Sequence, residues 1–135
     1  MRVLQKFAHS PQGPRSFCYR RKSDAIQIFD SNQNEIADID LETWNALIAR
    51  IEAAPKNWFV VTDNERCFDD KQVLYKIAAL SSIGGHKIPE SAFFAIGPIL
   101  LNEGTLFFYQ GAVKHERDFD PSLVARIYLT RGTAS

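Results

Sequence analysis

Cysteine is scarce in this chain, and single-sign charge and long apolar runs are missing. Each absence closes off a class of protein. The two cysteines, Cys18 and Cys67, stand in no CxxC or zinc-type spacing. Neither a disulfide framework nor a metal knuckle is therefore expected, and two unbonded thiols of a reducing compartment are. No stretch of 18 apolar residues occurs, which excludes a helical membrane span. The N-terminal Met1-Arg2-Val3-Leu4-Gln5-Lys6-Phe7 interrupts its apolar residues with Arg2 and Lys6, so no secretory signal is expected and the cytoplasm is the expected location. No glycine-rich phosphate loop precedes a helix, no nucleophile elbow appears, and no internal repeat or low-complexity tract is present.

What remains is ordinary globular material. The 135 residues are 45% apolar and 24% charged, with 10 Phe, 4 Tyr and 2 Trp, enough aromatic bulk for a core without staples. The length suits one domain over 1–135, with 1–62 and 63–135 as subdomains.

The formal net charge is zero, but the charges are segregated. Residues 1–22 hold Arg2, Lys6, Arg15, Arg20, Arg21 and Lys22 and no acid; residues 23–70 are strongly acidic; residues 71–135 are slightly basic. Such a layout speaks of fields and partners, not of fold. It fits either a basic face for nucleic acid or a surface on which the basic and acidic segments pair.

Along the chain, residues 2–7 and 16–21 read as strands separated by the Pro- and Gly-punctuated loop His9–Arg15. Residues 25–29 and 35–39 alternate around the turn-rich Asp30–Asn34 and predict a hairpin. Asp40 is the expected N-cap of a helix whose Leu41, Trp44, Leu47, Ile48 and Ile51 share one arc, ended by Pro55. Trp58–Thr62, apolar on both faces, predicts a central strand. Asp69 and Gln72 have capping-box spacing for a second helix with Val73, Leu74, Ile77 and Leu80 as its buried stripe and Gly84-Gly85 as its C-cap.

Residues 89–111 admit two readings. One is a helix from Pro89 to Asn102, kinked at Gly97-Pro98, capped by Gly104 and followed by a strand at 105–109. The other is a break at Gly97-Pro98 followed by a hairpin. The kinked helix is favoured, although an interior proline costs about 3 kcal/mol. With it, residues 69–111 run helix, turn, helix, glycine, strand, an order that resembles a winged helix-turn-helix in its second helix, recognition helix and wing. A final strand is expected near 123–130.

The fold class read from this is α+β: an N-terminal antiparallel sheet with a packed helix, then a helical unit resembling a winged helix-turn-helix. The resemblance implies contacts from the start of the recognition helix, where Lys87 and Ser91 suit phosphate or bases. Arg15, Arg20, Arg21 and Lys22, interleaved with Phe17 and Tyr19, would add backbone and stacking contacts. The expected function is a small non-enzymatic binding or regulatory protein, with nucleic acid as its partner. The alternative is a protein-interaction or inhibitor-type module using the acidic segment or aromatics such as Phe107 and Tyr109 on an edge strand. A metal-dependent nuclease built on Asp63 and Glu65 comes third. No cofactor is implied, and His115, Asp118 and Asp120 read as turn residues instead of metal ligands.

Overall fold

A computed structural model describes residues 2–111, 113–115 and 118–131. The chain opens with β1 (Val3–Gln5), β2 (Ser16–Arg21), β3 (Ala25–Asp30) and β4 (Glu35–Asp40), paired in that order as a four-stranded antiparallel sheet. Its alternation is what the sequence predicts: Phe17, Ile26, Ile28, Ala37 and Ile39 are buried, and Gln27 and Asp38 face outward. The β3–β4 turn is held by Asp30, whose carboxylate accepts the N–H groups of Asn32 at 2.8 Å and Asn34 at 2.9 Å.

Asp40 caps α1 (Leu41–Ala53) by accepting the Glu42 N–H, and Trp44, Leu47 and Ile51 are fully buried beneath it. Then come β5 (Trp58–Thr62), α2 (Leu74–Leu80), a two-stranded hairpin of β6 (Ser82–Ile83) and β7 (His86–Lys87), α3 (Phe93–Asn102), β8 (Leu106–Phe108) and β9 (Arg126–Arg131). A second sheet has the order β5-β9-β8, with both pairings antiparallel. The main core draws on both sheets and all three helices, from Phe17 to Leu129.

Four local expectations are corrected. β5 is not central; it lies at one edge of its sheet, and β9 is central. Its two apolar faces have another cause. Phe59 and Val61 point into the main core, while Trp58 and Val60 face a second, smaller cluster with Phe68, Val73 and Val124. The capping box does not form: α2 starts at Leu74, and Asp69 instead nucleates a turn by accepting the Lys71 N–H. Leu80 is 58% exposed, because the helix ends there and the chain turns outward. Gly84 and Gly85 do not cap α2. Both have positive φ, the conformation that a two-residue hairpin turn requires, and they join β6 to β7.

Gly97 and Pro98 lie inside α3, as the kinked-helix reading expects, with a 3-10 turn over Glu90–Ala92 ahead of it. Gly104 follows at a φ of 76°. The winged helix-turn-helix order is not what stands between and around α2 and α3. A hairpin and a 3-10 turn separate them, where a helix-turn-helix has a three- or four-residue turn. Phe94 through Leu100 are all buried, so α3 has no long open face to lay in a groove. No helix among the described residues is long and apolar enough to cross a membrane.

Candidate functional site

The basic residues singled out by sequence divide into separate neighbourhoods. Arg21, at the end of β2, makes a two-pronged ion pair with Glu103, Nη2 to Oε1 at 2.7 Å and Nε to Oε2 at 3.0 Å. The same carboxylate accepts from the Tyr19 hydroxyl, and Tyr19 in turn accepts from Asn102. Desolvation holds the Tyr19 phenol above its usual range, and the hydrogen bond to Glu103 does the same for the Arg21 guanidinium. This cluster ties β2 to the C-terminal end of α3. Arg20 is engaged along its own sheet, donating to Gln27 and lying over the Phe29 ring at 5.7 Å. Arg15 and Lys22 are exposed.

Ser91 sits at the other end of α3, so the helix length of about 15 Å separates it from Arg21. Its surroundings are acidic. It lines an open groove with Asp63, Glu65 and Glu90, where Lys76 already pairs with Glu65 at 3.3 Å. Lys87 is exposed on the small β6–β7 hairpin. The structure therefore does not gather these six residues around Arg21.

Two other features are better assembled. The first is β8. It forms the outer edge of the β5-β9-β8 sheet, and it carries adjacent exposed rings, Phe107 at 44% and Phe108 at 56%. The register pairs Phe107 with Thr130 and Phe108 with Leu129, and the Tyr109 N–H donates to the Tyr128 carbonyl at 3.1 Å. Antiparallel strands direct alternate backbone groups to opposite sides. With Tyr109 turned toward β9, the N–H and C=O of Phe108 face the open side. Phe108 also leans on Phe7, ring centres 5.9 Å apart.

The second is a cleft of about 310 Å³ on the outer face of the same sheet. Trp58 supplies one wall, the turn after the Glu65–Cys67 helix supplies Phe68, and the stretch before the Pro121–Leu123 helix supplies His115 and Phe119. The rings meet edge to face: Trp58–His115 at 5.7 Å, Phe68–His115 at 5.8 Å, Phe68–Phe119 at 5.2 Å. Lys56, Lys71 and Asp69 stand around them. Gln72 closes the back, 3% exposed, its amide donating to the Trp58 carbonyl while its own oxygen has no partner among the described residues.

His115 lines this cleft. Among the described residues no group of three His, Cys, Asp or Glu is placed to hold an ion, and the Asp120 carboxylate is taken up by Ser122. Cys18 and Cys67 are unbonded and half-buried. Sequence reasoning missed the cleft because Trp58, Phe68, His115, Phe119 and Tyr128 share no periodicity; only the density of aromatics hinted at a second apolar surface. Phe107 and the edge position of its strand were legible.

Comparison with protein-family models, curated proteins and solved structures finds no match for this chain.

Proposed function

We propose that this chain is a non-enzymatic protein-interaction module that receives an extended segment of a partner along β8. The observation that carries the reading is the edge position of β8 among the described residues, with Phe107 and Phe108 exposed on opposite faces of the strand and the Phe108 backbone groups turned away from β9. Natural edge strands are commonly protected by lysine, proline or a bulge. From Thr105 to Gly111 there is neither charge nor proline, and no register shift interrupts the β8–β9 ladder. A partner strand pairing there would gain main-chain hydrogen bonds from the edge and side-chain specificity from the two rings. An uncharged edge selects an uncharged, alternately apolar partner.

The nucleic-acid reading rests on the run of basic residues at 1–22, and two findings weigh against it. Arg21 is already neutralised by Glu103, and Ser91 lies among carboxylates that repel phosphate.

Selection from a displayed random-peptide library tests the proposal. Enriched peptides should alternate apolar residues and lose at least about tenfold in affinity against Phe107→Lys. Phe108→Pro is the sharper variant, because it removes an outward donor and leaves the Phe107–Thr130 and Tyr109–Tyr128 pairings in place. Peptides that bind both variants as well as the unmodified chain would overturn the reading, as would a selection that enriches nothing.

A further inference from the structure

The aromatic cleft lies away from the β8 edge, and one atom at its back bears on what it holds. Its walls are flat and apolar, from Trp58, Phe68 and Phe119, which suits a planar body of one or two rings in a volume of about 310 Å³. The polar groups of the lining decide what such a body carries.

Charge does not select. Lys71 and Asp69, of opposite sign, are both exposed at the rim, where the Asp69 carboxylate accepts the Lys71 N–H at 2.9 Å, and Lys56 already has a partner. His115 does not select either. Its Nε2 and the Tyr128 hydroxyl stand 2.9 Å apart and satisfy each other whichever gives the proton. Burial first, and the Arg126 charge second, hold the imidazole below the usual histidine range, so it serves as a neutral wall near pH 7.

Gln72 is different. Its backbone is pinned on both sides: the N–H donates to the Asp69 carbonyl at 2.9 Å, and the carbonyl accepts the Val60 N–H at 2.7 Å. Its side-chain nitrogen donates to the Trp58 carbonyl. A carbonyl can only accept, so that bond fixes which end of the amide is nitrogen and leaves Oε1 as the other. Gln72 is 3% exposed, and Oε1 is the one buried polar atom of the lining without a partner among the described residues. A buried acceptor left unpaired is unfavourable, and a ligand that brings a donor relieves it. A ligand that can only accept would set one lone pair against another.

We infer that this cleft binds a planar aromatic compound carrying an N–H or O–H donor, its ring held among Trp58, Phe68 and Phe119 and its donor met by Gln72 Oε1. The inference does not depend on the use of β8.

Indole and benzofuran test it, because they share one shape and differ at one atom, an N–H against a bare oxygen. Each is titrated into the full chain by ¹H–¹⁵N NMR. The Trp58 indole N–H is the reporter, and Trp44, fully buried in the core, is the internal control. Indole should shift Trp58 and not Trp44, with a Kd of about 1 mM or tighter. It should bind at least about tenfold tighter than benzofuran. Gln72→Met, close in length, should erase that preference. His115→Phe, which keeps a flat wall without ring nitrogens, and Lys71→Gln should both retain it. An indole titration that leaves Trp58 unmoved would overturn the inference. So would equal binding of the two probes to the unmodified chain, since Oε1 would then be met by water or lie out of the ligand's reach. A preference that survives Gln72→Met, or that vanishes in His115→Phe, would assign the donor to another acceptor and overturn it too. Shifts confined to the β8 edge would also place the ligand elsewhere.

Discussion

Single side chains in this fold carry unequal burdens. Trp44 is fully buried, and its indole N–H has no partner among the described residues. Trp44→Ala should cost about 3–5 kcal/mol through lost burial and the cavity left behind; an unchanged melting temperature would contradict the packing of α1. Its neighbour Thr43 is the opposite case. The hydroxyl is buried without a partner among the described residues, and such a group costs roughly 1–3 kcal/mol in desolvation. Thr43→Val keeps the shape and removes the hydroxyl, so the urea midpoint should rise, by about 1 kcal/mol of stability. Asp30 sets a pH limit. Hydrogen bonds from Asn34 and Asn32 hold its carboxyl below the usual range in the folded chain. The stabilisation is present above the unfolded pKa and is lost as pH falls through the lower folded value. Asp30→Asn still accepts those N–H groups but does not titrate. Its urea midpoint should therefore fall less between pH 7 and pH 3 than that of the unmodified chain.

At the scale of elements, α3 shows how packing outweighs propensity. Pro98 removes a helical hydrogen bond at about 3 kcal/mol, yet burying a large apolar side chain returns about 1.5–3 kcal/mol. Phe94, Ile96, Ile99 and Leu100 are all fully buried, so the sum favours the helix over the hairpin that a break at Gly97-Pro98 would form. The loop after β1 is moulded onto this helix. A Cβ built at Gly13 would collide with the Phe94 ring, and one at Gly97 would come within 2.6 Å of Phe7. Phe94 is fully buried and cannot swing away. Gly13→Ala should therefore destabilise by about 1–3 kcal/mol, read by chemical denaturation. A neutral substitution would mean that the loop is free of α3.

For the whole molecule, the residues expected to form a basic face stand on several elements. Arg21 pairs with Glu103, outside the acidic segment 23–70, and Lys87 and Ser91 stand on other elements. Titration of the unmodified chain with DNA and RNA at low salt should show no binding. If binding appears, its salt slope should fall in the triple variant Arg20→Ala, Arg21→Ala, Lys22→Ala, and the edge-strand reading would yield to nucleic acid. Local order was legible in the chain itself. The β3–β4 alternation, the Asp40 cap, the apolar arc of α1 and the glycine that ends α3 each depend on neighbours a few residues apart, and their periodicity carries that information. Even the kinked helix could be favoured from its apolar arc. Position among strands could not. β5 reads as central because both faces are apolar, and only the return of Phe68, Val73, His115, Phe119 and Val124 over its outer side shows why an edge strand needs two such faces. The cleft likewise unites Trp58, Phe68, His115 and Phe119 across sixty residues of chain, through contacts that leave no spacing to read. Sequence determined the elements through short-range hydrogen bonding and amphipathic period, whereas long-range burial decided which edges stayed open and which rings met.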